Sequence, residues 1–192
     1  MRWPALGLAL LPVMLGLPPM MLPVHVVVTE MIIDPVCSLA FEKTPQARGV
    51  MDRPPRPGGE PLVGGWLVVQ ALLQGACLLG AALAVYVVAL RGGQGADEAR
   101  TLAFAGLTAG NLLLVWLNAS AGVGMRALLG RDFAVFWAVA GVAAGLLALA
   151  VAVPGVRELM KFGAPSMQAL ALSVAVVAAA VTAGWAIGLR RG

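Results

Sequence analysis

Glu30 and Asp34 are the residues of this sequence best placed to do chemistry. They interrupt an apolar stretch from Leu22 to Phe41, where the only other strongly polar break is His25. On a helix their i, i+4 spacing puts both carboxylates on one face, roughly 6 Å apart along the axis. Each carboxylate at a bilayer centre costs about 2.5–3.5 kcal/mol on insertion scales, so an acid retained there points to function. Two such groups side by side repel each other, and a low dielectric raises their proton affinity. A bound cation relieves both problems, and so does protonation. The pair therefore suits a site that exchanges a metal ion for protons. The alternative, pairing with a buried Arg or Lys, finds no such residue within any apolar span.

Pro35 directly follows Asp34. It lacks an N–H, so the carbonyl of Met31, four residues earlier, loses its helical partner. A freed backbone carbonyl at membrane depth is tolerated where it lines a polar cavity or binds an ion. Calcium takes about 6–8 oxygens, more than Glu30, Asp34 and the Met31 carbonyl supply, so other helices must contribute. Asn111 is a candidate distant ligand. It belongs to a stripe with Thr101, Thr108 and Asn118, whose first reading is hydrogen bonding between helices. Gln70 and Gln74 read as packing polars, and His25 as a satisfied or water-facing residue. Cys37 and Cys77 form no metal spacing and no disulfide framework.

The elements that must position these groups are membrane helices. Of 192 residues, 60% are hydrophobic and 11% charged, with a mean hydropathy of +0.92. A soluble core of that size could not hide so much apolar surface. That excludes a soluble enzyme, a nucleic-acid binder and a disordered tail. Six apolar segments follow: Trp3 to Leu17, Leu22 to Phe41, Gly65 to Leu90, Thr101 to Ala121, Phe133 to Val153 and Pro165 to Leu189. The fold expected is all-α, a polytopic membrane protein with a six-helix transmembrane bundle. A Pro-rich turn joins the first two segments, and a polar stretch from Glu42 to Gly64 joins the second and third. Shorter connections carry Arg91, Asp97, Glu98 and Arg100, then Arg126, Arg131 and Asp132, then Arg157, Glu158 and Lys161. With both termini cytoplasmic, the inside holds Arg2, Lys43, Arg48, Arg53, Arg56, Arg126, Arg131, Arg190 and Arg191. The outside holds Arg91, Arg100, Arg157 and Lys161, so nine face four, as the positive-inside rule asks. The net charge of +4 is read this way rather than as a nucleic-acid surface.

Leu15-Gly-Leu-Pro18, Pro23-Val-His25, Glu30-Met-Ile-Ile-Asp34-Pro35 and Ser38-Leu-Ala-Phe-Glu42 resemble the fifth and sixth membrane helices of type II cation-transporting P-type ATPases. In that family a carboxylate or amide, followed four residues later by an Asp, binds the transported ion in helix six. Glu30 and Asp34 stand at those positions. Residues 1–42 thus resemble the hairpin of helices five and six, the first truncated. Residues 43–64, with Met51-Asp-Arg-Pro-Pro-Arg and Glu60-Pro-Leu, resemble the cytoplasmic loop that follows. Residues 65–192 match helices seven to ten in number and spacing.

The resemblance also implies what to look for elsewhere. The phosphorylated Asp-Lys-Thr-Gly-Thr motif and the Thr-Gly-Glu of the actuator loop do not occur in this sequence, so no catalytic residue is assigned. Pro4 and Ala5 stand nearest the positions of the helix-five ligands and cannot serve by side chain. Ile33 replaces the Thr that calcium pumps place before the Asp. The chain is thus expected to be the C-terminal membrane domain of a cation pump: a truncated frame, a fragment or one half of a split pump, inactive as an ATPase alone. Its ligand would be a transported cation, calcium or another metal ion. ATP and Mg2+ would bind only the missing part. Its partners would be the lipid bilayer and the N-terminal pump domains, with no nucleic acid, in a bacterial plasma membrane. The competing reading is an autonomous small multi-pass protein with a scaffolding or passive ion-carrier role.

Overall fold

The computed structural model describes residues 11–28, 30–31, 65–120 and 134–189, and the regular secondary structure among them is all helical. Helical residues 11–14 lead into a turn at 15–16, an irregular stretch and helical residues 23–28, with 30 and 31 also helical. The longer elements are α1 (Gly65–Arg91), α2 (Ala96–Ser120), α3 (Ala134–Ala152), α4 (Pro154–Leu159) and α5 (Met167–Leu189).

Three helices are long and apolar enough to cross a membrane: Gly65–Arg91, Ala96–Asn118 and Met167–Gly188. The 27 residues of α1 span about 40 Å, beyond the roughly 30 Å of a hydrocarbon core. The apolar run of α3, Phe136–Ala152, is shorter. Three of the six expected spans are thus matched among the described residues, and α3 coincides with a fourth expected segment.

The span in α2 is the hub. Of its length 61% is buried within the protein, against 22% for α1 and for α5. Lipid tails are as apolar as leucine, so helices associate here through close packing rather than through a hydrophobic drive. Small residues make that packing possible. Added Cβ atoms at Gly106 and Gly110 of α2 would run into Val177 of α5, and the second also into Leu78 of α1. At Gly184 of α5 an added Cβ would lie 2.8 Å from Cys77 Sγ of α1. Leu78, Ala82, Tyr86, Leu107, Val177 and Val181 fill the interior between these helices.

Two connections differ from the sequence expectation. Asp97, Glu98 and Arg100, read as loop charges, belong to α2, which starts at Ala96. The two acids in its first turn favour this start, because they face the positive end of the helix dipole. The connection between α3 and α5 contains a helix of its own, α4. Pro154 opens it at the first turn, where no N–H is needed, and Val153 before it is extended at φ −91°, ψ 115°.

The end of α4 is strained. Phe162 N–H donates to Arg157 O at 2.9 Å and Lys161 N–H to Glu158 O at 3.1 Å, the paired bonds of a Schellman ending. The left-handed position of that motif favours glycine, yet Lys161 occupies it at φ +51°. Lys161→Gly is expected to stabilise the protein by about 1 kcal/mol by removing the Cβ clash. A rise of a few degrees in the thermal midpoint in micelles checks this, and an unchanged or lower midpoint contradicts it.

Candidate functional site

Glu30 and Met31 are helical and stand five and six residues after His25. Glu30 is half-buried, and Met31 is exposed. Asp34, Pro35 and Cys37 lie outside the described residues. The structure therefore fixes the start of the proposed ion-binding helix and not the spacing between its two carboxylates. Asn111 is half-buried on α2. Among the described residues no three His, Cys, Asp or Glu side chains gather as a metal site would require.

A cavity of about 260 Å³ opens beside this stretch. Val28 and Met31 border it on one side, Phe104 and Thr108 of α2 on another, and Leu146 of α3 and Met160 beyond α4 on the rest. Thr108 brings the one hydroxyl among these, and Glu30 does not line the cavity. Such a lining cannot coordinate a hard cation, which needs oxygens all round.

The polar chemistry gathers instead at a clasp beside the Pro18-Pro19 turn. Tyr86 Oη of α1 donates to Pro18 O at 2.8 Å. Arg100 of α2 is 5% exposed and uses its whole fork. Nε and Nη2 donate to Pro19 O at 3.3 and 3.1 Å, and Nη1 donates to Lys161 O at 2.5 Å and to Asp97 Oδ1 at 2.6 Å. Thr101 and Asp97 receive the next loop: Gly163 N–H donates to Thr101 Oγ1 at 3.0 Å and to Asp97 O at 2.9 Å. Three connections that alternation would place on one side of a membrane are thereby tied together: the turn near Pro19, the start of α2 and the loop after α4.

His25 is the third donor. It is fully buried, stacked on Phe162 at 4.8 Å and tilted against Phe104 at 5.4 Å. The Leu22 N–H donates to Nδ1 at 3.1 Å, so that nitrogen carries no proton. The proton sits on Nε2, which donates to Met160 O at 2.6 Å. The expectation of a satisfied histidine holds.

At the other end of the bundle Gln74 and Asn118 form a reciprocal amide pair. Asn118 Nδ2 donates to Gln74 Oε1 at 3.1 Å, and Gln74 Nε2 donates to Asn118 Oδ1 at 3.4 Å. The Thr101–Asn118 stripe thus makes an interhelical pair at its Asn118 end, while Thr101 bonds to the loop after α4 through Gly163. Gln74→Ala and Asn118→Ala in a double-mutant cycle are expected to show a coupling of about 0.6–1.5 kcal/mol. Additive effects in reversible unfolding would contradict the pair.

Sequence reasoning missed Arg100 and Tyr86. Arg100 was counted among the outside loop charges, and no span was credited with a buried cation. The available signal was an Arg three residues after an Asp at the opening of a helix, where the pair can close on itself.

The family described as "Cation transporting ATPase, C-terminus" matches residues 18–189. A "Probable cation-transporting ATPase F" of Mycobacterium bovis is 45% identical over 65 residues. That match covers 34% of this chain and 7% of the relative. Proteins of the same description from two strains of Mycobacterium tuberculosis match at the same identity and coverage. The similarity to these curated relatives thus covers a small part of their length.

Proposed function

The chain belongs to the cation-transporting ATPases, as their C-terminal region, and on that premise we propose that it forms the membrane domain through which such a pump passes its cation. The observation that carries this reading is the Glu30–Asp34 pair ahead of Pro35, inside the matched region. The two carboxylates, the Met31 carbonyl and Asn111 are the proposed oxygen donors. A cation bound between the carboxylates offsets their repulsion, and protons replace it when it leaves. The apolar helices α1, α2 and α5 support a place in the membrane. The fuller arrangement proposed is six spans with both termini cytoplasmic, in a bacterial plasma membrane. The clasp then faces outward. Energy comes from ATP and Mg2+ bound in the N-terminal pump domains, and those domains are the partners proposed.

In the intact pump, Asp34→Asn is expected to abolish cation-dependent phosphorylation, a loss of at least a hundredfold. Glu30→Gln is expected to weaken cation dependence. Normal cation dependence in both variants, with normal expression, removes the site assignment. Cation flux through the reconstituted chain alone would favour the passive-carrier reading instead.

A further inference from the structure

We propose that His25 is a proton-sensitive latch that holds the carboxylate-bearing helix to the loop after α4. The geometry requires one protonation state. Leu22 N–H can only donate, so Nδ1 must accept, and Nε2 must carry the proton given to Met160 O. A second proton on the ring would set Nδ1–H against Leu22 N–H, donor against donor. It would also place a positive charge next to Arg100, whose guanidinium already holds Lys161 O, one residue beyond the histidine's own acceptor.

Among the described residues the Met160 carbonyl favours a charged ring, while full burial, the Leu22 N–H and the Arg100 guanidinium oppose one. From α2 come Arg100 and Asp97, and Asp97 already pairs with Arg100. From α1 comes Tyr86, which spends its hydroxyl proton on Pro18 O. In and after α4 stand the cations Arg157 and Lys161 and the acid Glu158, and Glu98 follows Asp97 in α2. Glu30 lies five residues along the ring's own stretch, more than a full helical turn away. The faces of the ring meet Phe104 and Phe162, which keep water from it. Protonation strengthens the Met160 bond but breaks the Leu22 bond and puts a charge where no water reaches it, so the buried site must open for the ring to hydrate: acid loosens the latch, and neutral pH closes it. The loop carrying the left-handed Lys161 is the element released, and the stretch bearing Glu30 is freed with it. Any effect on cation binding rests on the role proposed for Glu30, whereas the latch does not.

His25 is the single histidine of the chain, so its ring nitrogens can be observed without assignment. The full chain in lipid nanodiscs, labelled with 15N-histidine, would be titrated from pH 8 to pH 4 by NMR. Amide exchange at Leu22 and Gly163 would be followed in parallel, corrected for the intrinsic pH dependence. The expected result is the Nε2–H tautomer at pH 8. Ring protonation on acidification should then bring at least a tenfold rise in exchange at both amides, with one shared midpoint. His25→Gln can still donate to Met160 O and does not titrate, so exchange in that variant should stay flat with pH. An Nδ1–H tautomer at pH 8, a ring still neutral at pH 4, or protonation with unchanged exchange would each overturn the latch. None of these readouts involves a cation, so failure here is separable from failure of the ion-site assignment.

Discussion

Arg100→Met is expected to destabilise the protein by about 3 kcal/mol, read as a large drop in the midpoint of unfolding in micelles. Methionine keeps much of the apolar stem volume, so the loss reports on the polar head. The substitution strips donors from Pro19 O and Lys161 O at once. Each buried carbonyl left without a partner costs about 1–3 kcal/mol. Asp97 softens the loss, because its side chain is 56% exposed and can rehydrate. Arg100→Lys should recover part of the stability only, since an ammonium cannot reach three acceptors in the planar geometry of a guanidinium. A midpoint unchanged by Arg100→Met would mean that the clasp contributes nothing to stability.

Gly163→Ala is expected to cost a similar amount, about 3 kcal/mol, although it adds one methyl group. A Cβ at this position would lie 2.5 Å from Glu98 N and 2.7 Å from Glu98 Cα. These are backbone atoms at the start of α2 and cannot rotate away. The loop must move off the helix instead, and it would then lose the Gly163 bonds to Thr101 and Asp97. The comparison that isolates the cause is Gly155→Ala in α4, where nothing lies within 4 Å of the added Cβ. That variant should be neutral or slightly stabilising, because alanine favours helix over glycine. Equal effects at the two glycines would refute the packing account.

The spans were legible because their signal is local. Apolar runs bounded by charge gave Gly65 to Leu90 and Pro165 to Leu189, against helices at Gly65–Arg91 and Met167–Leu189. The start of α2 was placed five residues late, because Asp97, Glu98 and Arg100 look like solvated loop residues when only polarity is counted. The Asn118 end of the Thr101–Asn118 stripe was readable as interhelical bonding, since its spacing is helical. The clasp was not readable. Its acceptors are the main-chain carbonyls of Pro18, Pro19, Met160 and Lys161, and every residue carries such a group. A side-chain pattern records the donors and leaves the partners anonymous. Of the candidate ion site, Glu30 and Asp34 were visible as acids in an apolar stretch, and Asp34 falls outside the described residues.

That asymmetry sets how the two halves of the clasp tolerate mutation. Arg100, Tyr86 and His25 each supply a side-chain donor, which an apolar replacement would remove. Met160 and Lys161 supply backbone carbonyls, so a change of their side chains leaves these two acceptors in place wherever the chain path is kept. Substitution at the donors thus removes attachments directly, while substitution in the receiving loop acts on them only through the chain path, as at Gly163.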